Sequence, residues 1–213
     1  MTDWPMTALR ITTPDLVLRA MREHDIPGLA EQLPDDVELD PSLPSFPGLD
    51  ARAGRAVALH QFYGRELGSW SVENWTLLLM AEHDGQVIGT QDLEGRDFPR
   101  RRTVETASYL VAQRGRGFGR QMRIAVLALA FDHLGALVAE TEAWHDNGPS
   151  LGVSVSVGYE PNGETLHPRE GTDGADRMVR MRLTRERWQA NGLGRDVRVD
   201  GLDAALPLFG QSK

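Results

Sequence analysis

Eight consecutive residues, I-A-V-L-A-L-A-F from Ile124 to Phe131, carry no polar side chain. They sit inside a stretch whose pattern predicts a helix from about Gly117 to Leu134. A helix that is apolar on every side must be surrounded by the rest of the chain rather than lie on a surface. A length of 213 residues with 40% apolar content is enough to bury it, as one domain or as a domain with a tail. The expected division is one domain over residues 1–190 and a tail over 191–213. In that tail, L-D-A-A-L-P-L-F is the segment able to dock back.

Strands are expected on both sides of this helix. L-V-L-R-A-M (Leu16 to Met21) reads as the first, followed by a short helix from Asp25 to Gln32, capped by Asp25. The Pro- and Asp-rich segment from Leu33 to Asp50 reads as a loop, and Ala51 to Leu67 as a helix. W-T-L-L-L-M-A-E (Trp75 to Glu82) and Val87 to Leu93 flank H-D-G-Q, and a D-G between two apolar runs signals a hairpin. The polar run E-G-R-D-F-P-R-R-R reads as a loop. Thr103 to Val111 is the strand before the buried helix and Leu137 to Trp144 the strand after it. Pro149 to Val157 is a short helix, with strands around Glu160 to Leu166 and Met178 to Leu183. The order β-α-α-β-β-β-α-β-α-β-β describes an α/β sheet with mixed strand directions.

Composition narrows the partners. Thirty-one acidic residues against 23 basic ones leave a formal charge of −8, which opposes non-specific binding to nucleic acid or an anionic membrane and mildly favours a cationic partner. With no cysteine there is no disulfide framework, thiolate metal site or thiol nucleophile. The six histidines show no ligand spacing, so no metal is expected. M-T-D-W-P-M-T lacks a signal-peptide pattern, and no stretch reaches the ~18 apolar residues of a membrane helix. A cytoplasmic chain is the default expectation.

The buried helix opens on R-G-R-G-F-G-R (Arg114 to Arg120). A helix start presents unpaired N–H groups and the positive end of the dipole, which suits phosphate oxygens. Gly115, Gly117 and Gly119 would let those amides approach a ligand, and Arg114, Arg116 and Arg120 could add charge-assisted hydrogen bonds. The alternative is an ordinary tight turn. A P-loop would need Gly-Lys-Ser/Thr, which is absent, and a dinucleotide fingerprint would need G-x-G-x-x-G after an early strand, which this is not.

R-G-R-G-F-G between a strand and a long helix resembles the R/Q-x-x-G-x-G/A signature of the GNAT superfamily of N-acetyltransferases. Three further segments resemble its ribosomal-protein N-terminal acetyltransferase branch: T-V-E-T-A-S-Y-L (Thr103 to Leu110), H-D-N-G-P-S-L-G-V-S-V-S-V-G-Y (His145 to Tyr159) and V-I-G-T (Val87 to Thr90). The resemblance runs in order over roughly Leu16 to Trp188. Only Val111, Ala112 and Gln113 separate the strand from Arg114, about one residue fewer than in many members. The resemblance implies a GNAT fold: a mixed, mostly antiparallel sheet splayed between two parallel central strands, Thr103–Val111 and Leu137–Trp144, with helices on both faces. It implies acetyl-CoA or another acyl-CoA as co-substrate. Its pyrophosphate would lie on the turn from Arg114 through Gly115, Arg116, Gly117, Phe118 and Gly119 to Arg120, with the pantetheine between the splayed strands.

Acyl transfer from a thioester to an amine requires a neutral amine, a held oxyanion and a protonated leaving thiolate. An α-amino group near ~8 asks less of a base than a lysine near ~10.4. Asn147 and Ser150, in D-N-G-P-S, suit helix capping, with Pro149 in the first turn. By resemblance Asn147 would also bond the pantetheine arm and Ser150 would protonate the sulfur. Glu170 occupies the place of the branch's general base, allowing one inserted residue, against an ordinary turn carboxylate. Glu105, inside the central strand on the face of Ala107 and Tyr109, is the rival base, against a strand-face ion pair. By resemblance the oxyanion would meet a main-chain N–H near Leu110 or Val111. His145 and His167 are minor base candidates. Phe46, Trp70 and Phe98 are candidates to line an acceptor groove, although Trp70, Trp75 and Trp144 also suit core or rim. Arg100 to Arg102 read as a solvated run. The expectation is an N-acyltransferase, with acetyl or a similar group such as succinyl as the acyl group and a small amine or a protein N-terminus as acceptor. A homodimer is in keeping with similar enzymes. The rival is a non-catalytic acyl-CoA sensor on the same fold.

Overall fold

The computed structural model describes residues 4–33, 43–44, 46–169 and 174–211. Nine strands are described: β1 (Arg10–Thr12), β2 (Val17–Ala20), β3 (Trp75–His83), β4 (Gln86–Gly95), β5 (Thr103–Leu110), β6 (Val138–Trp144), β7 (Glu160–Pro168), β8 (Ala175–Thr184) and β9 (Arg198–Asp200). They form one sheet in the order β7-β8-β6-β5-β4-β3-β2-β1-β9. Among the described residues every neighbouring pair is antiparallel except β5 with β6. The D-G signal holds: Asp84 and Gly85, at φ 50° and 73°, turn β3 into β4 with the two positive φ values of a type I′ hairpin.

Six α-helices are described: α1 (Ile26–Gln32), α2 (Ala51–Gly68), α3 (Phe98–Arg101), α4 (Phe118–Ala128), α5 (Gly148–Val157) and α6 (Arg185–Asn191). Alternation along the strands sorts them by face. Thr76 of β3 bonds Glu66 of α2, and Thr76, Glu94 and Glu105 are successive cross-strand partners, so Glu105 looks to the α2 side. Thr106, on the opposite face, meets Tyr159 just after α5, and Arg123 of α4 lies over the Tyr159 ring. The sheet is therefore covered on both faces.

The apolar run is enclosed as its composition requires: every residue from Ile124 to Phe131 is buried. After Ala128 the helix widens into a π-helical turn over Leu129–His133, closed by the Leu134 N–H on the Leu129 carbonyl at 2.9 Å. The segment after Trp188 is part of the same core. Trp188 stacks near Phe131 at 5.8 Å, β9 pairs with β1, and Phe209 packs edge-on against Trp70 and Trp75 at 5.4 and 4.9 Å. Two expectations need correction. The polar run before β5 contains the one-turn helix α3, whose Phe98 is wholly buried against Trp75, so Phe98 cannot line an acceptor groove. Trp70 packs against the same cluster, donates from its indole N–H to the Leu208 carbonyl at 2.9 Å and stays partly exposed.

Candidate active site

The site begins where the sheet comes apart. β5 and β6 are in register only at Thr103 with Val138, Val104 with Ala139 and Glu105 with Glu140. Beyond that, two threonine hydroxyls take over. Thr141 Oγ1 donates to the Thr106 carbonyl at 2.8 Å, and Thr106 Oγ1 lies 3.4 Å from the Glu140 carbonyl and 3.3 Å from the Tyr159 hydroxyl. β5 then follows β4 to Leu110, while β6 follows β8 to Trp144. A wedge opens between them.

Backbone direction decides which amides line it. The Val111 N–H donates to the Ile88 carbonyl of β4 at 2.9 Å, so this amide is already used. In an antiparallel pair the groups of alternate residues point to opposite sides. With Val111 facing β4 and the Thr106 carbonyl facing β6, the Ser108 and Leu110 N–H groups turn into the wedge. Ser108 was not singled out from the sequence, because no side-chain pattern marks a backbone donor.

Two helix starts stand at the open end. The turn after Val111 carries positive φ at Gln113 (57°), Gly115 (80°) and Gly117 (82°). A Cβ at Gly115 or Gly117 would meet nothing within 4 Å, so the space above both is open. α4 starts at Phe118, one residue later than expected, and Gln121 donates to the Gly117 carbonyl at 3.3 Å. The N–H groups of Phe118, Gly119 and Arg120 thus belong to the first turn, which has no intrahelical acceptors. Phe118 is buried, 4.6 Å from the His83 ring, with the Arg116 guanidinium 4.9 Å above its own. Arg116 also bonds Gln113. Arg114 folds back, its Nε donating to the Leu110 carbonyl at 3.1 Å, and Arg120 is partly buried. A Cβ on Gly119 would lie 3.7 Å from Val153 of α5 and 3.8 Å from Leu110, which places the two helices side by side at the wedge.

At the second start, Asn147 is the N-cap of α5, its Oδ1 accepting from the Ser150 N–H at 3.1 Å. This cap uses the Ser150 backbone and leaves its hydroxyl out. Glu170 lies outside the described residues. His145 pairs with Asp176 at 3.3 Å and His167 lies 3.9 Å from Glu142. The Arg169 guanidinium covers the Trp144 ring at 4.8 Å. Phe46 is exposed.

The α2-side face beside the wedge is acidic. Glu94 and Glu105 are cross-strand partners, as are Asp92 and Ala107, and Thr90 and Tyr109. Glu140 pairs with Glu105 across the parallel ladder, and Glu142 follows on the same face of β6. The Glu105 carboxyl is pushed up, by burial first and then by Glu94, Glu140 and Glu142, with Arg101 opposing. Asp92 keeps an edge of solvent contact but stands deep among protein atoms. Burial, and after it Glu94 and Glu66, push its carboxyl up to about 7. Burial also raises Tyr109, hydrogen-bonded to Thr90, to about 12. Asp92 escaped the sequence reading because T-Q-D-L-E on a strand looks like ordinary outward polarity. Among the described residues no group of three or more His, Cys, Asp or Glu is placed to hold a metal, and no helix is long and apolar enough to cross a membrane.

Comparison with known proteins agrees with this architecture. Residues 15–160 match the model of the family described as "Acetyltransferase (GNAT) domain". Mycobacterium smegmatis RimJ, solved in complex with CoA-disulfide, superposes with a TM-score of 0.66 at 18% identity, over 92% of this chain and 98% of that one. A chimera of Vibrio cholerae spermidine N-acetyltransferase SpeG and hSSAT gives 0.63 at 15% identity, over 82% and 98%. At these identities the likeness is one of fold.

Proposed function

Because the chain belongs to the GNAT acetyltransferase family, we propose that it moves an acyl group, acetyl or a similar one such as succinyl, from acyl-CoA to a primary amine by direct attack. The observation that carries this is the wedge between β5 and β6, with the starts of α4 and α5 at its open end. The residues present fit such a co-substrate. The space above Gly115 and Gly117 is open, and the amides of Phe118, Gly119 and Arg120 would hold a diphosphate there. Arg114, Arg116 and Arg120 surround that turn with positive charge.

The wedge-facing amides of Ser108 and Leu110 would bond the pantetheine arm and the thioester oxygen, where charge builds up in the transition state. Asn147, whose Oδ1 is engaged in the cap, has its Nδ2 to offer the arm. Ser150 would give its proton to the departing sulfur. Glu105 and Glu170 are the two candidates inherited from the sequence for drawing the proton from the amine. Nothing here requires a covalent intermediate, and the chain has no cysteine to form one. The carboxylates Asp92, Glu94, Glu105, Glu140 and Glu142 favour an acceptor that arrives as a cation, a free protein N-terminus or a small amine. The SpeG neighbours are named for spermidine.

The test has two steps. Titration calorimetry with CoA is expected to show micromolar-range binding, and its absence would remove the reading. Thiol release from acetyl-CoA is then measured across peptides with free N-termini and linear di- and triamines. Binding without release for any amine favours a non-catalytic acyl-CoA sensor. With turnover established, Ser150→Ala is expected to lower kcat without altering the cap, which uses only the backbone of that residue. An unchanged kcat would remove Ser150 from the mechanism.

A further inference from the structure

We propose that Asp92, in place of Glu105, takes the proton from the acceptor amine, past the small side chain of Ala107 on the neighbouring strand. This rests on the acyl-transfer reading and names a residue that reading does not assign.

The argument begins with register. Along β5, Glu105, Ala107 and Tyr109 share the α2-side face, and their partners on β4 are Glu94, Asp92 and Thr90. Two long side chains therefore flank a single exposed methyl group, and Asp92 is the cross-strand partner of that alanine. The wedge-facing Ser108 N–H is the next residue along. A carbonyl held at that amide would put its reacting carbon beside Ala107, within reach of a carboxylate directly or through one water.

Partners single Asp92 out. Glu94 is paired with Arg96 at 2.6 Å. Glu66 accepts from Thr76 at 2.6 Å and from Arg65 at 2.9 Å. Glu140 is bound by Arg180 and Asn162, both at 3.3 Å. Among the described residues no hydrogen bond or ion pair is found for the Asp92 carboxylate. Among the described residues Glu105 makes no ion pair either, but it has Arg101 to oppose its acidic neighbours and is the more exposed of the two. A half-buried carboxylate without a counter-charge and with acidic neighbours is disfavoured as an anion and gains by accepting a proton. The groups that face it agree: Glu94 on its own strand, Glu66 from α2, Glu105 and Tyr109 from β5, with Arg96 held between Glu94 and Glu66 at 2.6 and 3.6 Å. Leu78 is its partner on β3. Its raised titration range near neutrality suits a base working at pH 7.

The step balances as follows. The ammonium group gives one proton to the Asp92 carboxylate, and the nitrogen lone pair then forms the C–N bond. The C–S bond breaks with its electron pair on sulfur, which takes a proton from Ser150. The nitrogen releases its second proton to Ser150 through solvent, and Asp92 returns its own proton to water past Glu94 and Glu105.

The test uses the full chain, acetyl-CoA and the fastest amine from a set of alanyl and seryl peptides and linear diamines. Wild-type kcat/KM is expected to rise with pH and level off above about 7. Asp92→Asn is expected to lower kcat by about 100-fold or more, leave CoA affinity within about twofold and abolish that limb, with Asp92→Glu restoring part of both. A D92N enzyme within about threefold of wild type, or one that keeps the limb, overturns the proposal while leaving acyl transfer intact. A wild type that neither binds CoA nor turns over any amine overturns both. Should D92N fail to fold, carbon-detected NMR titration of Asp92 in the wild type decides: agreement with the kinetic limb supports the role, and titration below pH 5 removes it.

Discussion

Asp92→Asn should make this protein more stable at neutral pH, and by an amount that depends on pH in a specified direction. The carboxyl titrates near 3.8 in its unperturbed state and at about 7 in the fold. Below about pH 4 it is protonated whether the chain is folded or not, so ionisation contributes nothing. Between about pH 4 and 7 the native state holds the proton that the unfolded chain has released, so wild-type stability falls as pH rises. Above about 7 the loss is complete. A shift of about three units at 1.36 kcal/mol per unit sets an upper figure of about 4 kcal/mol, which screening by cleft water reduces. D92N lacks the titration, so the difference D92N minus wild type should grow across this window. Urea unfolding followed by circular dichroism at pH 4.5, 5.5, 6.5 and 7.5 reads it directly. With an m-value of about 2 kcal/mol/M, the midpoint difference should widen by up to about 2 M. A difference constant within about 0.5 kcal/mol, inside the error of the extrapolation, would refute the picture of Asp92 as a half-buried, unpaired carboxyl among acidic neighbours.

Two other substitutions test the ends of the wedge. Gly117→Ala places a Cβ in open space but at φ 82°, so its cost is backbone strain of about 1–2 kcal/mol. It should lower Tm by about 2–8 °C and weaken CoA binding by about tenfold as the turn relaxes, and wild-type affinity in calorimetry would show that these amides do not grip the diphosphate. Thr141→Val removes the hydroxyl that donates to the buried Thr106 carbonyl, and the orphaned acceptor should cost about 1–3 kcal/mol; an unmoved urea midpoint would mean that the apex is held by something else.

Strong local patterns made much of this fold legible. The D-G hairpin, the apolar helix and the glycine turn each carry their physics within ten or twenty residues, and the structure has all three. What escaped is held by distant contacts. β1 and β9 are three residues each, too short to show alternation. α6 has one apolar anchor, Trp188, and it is fixed by Phe131 and by Asp132, to which its indole N–H donates at 3.1 Å. Phe98 sits in a polar run, and left-handed backbone at Asp97 and Arg102 turns it inward. In the site, Asn147 and Glu105 were visible as side chains. The Ser108 amide and the position of Asp92 depend on strand register, and register appears only once β4 and β5 are paired.

The wedge also makes the middle of the sheet its thinnest seam. Three paired positions join a three-stranded leaf, β7-β8-β6, to a six-stranded leaf that runs from β5 to β9. Past those positions each leaf ends in an unpaired border facing the other. An extended molecule carrying its own amides, laid in that gap, supplies the missing rungs and couples two plates that otherwise meet at a short hinge. Occupancy of the cleft and stiffness of the whole sheet then rise and fall together.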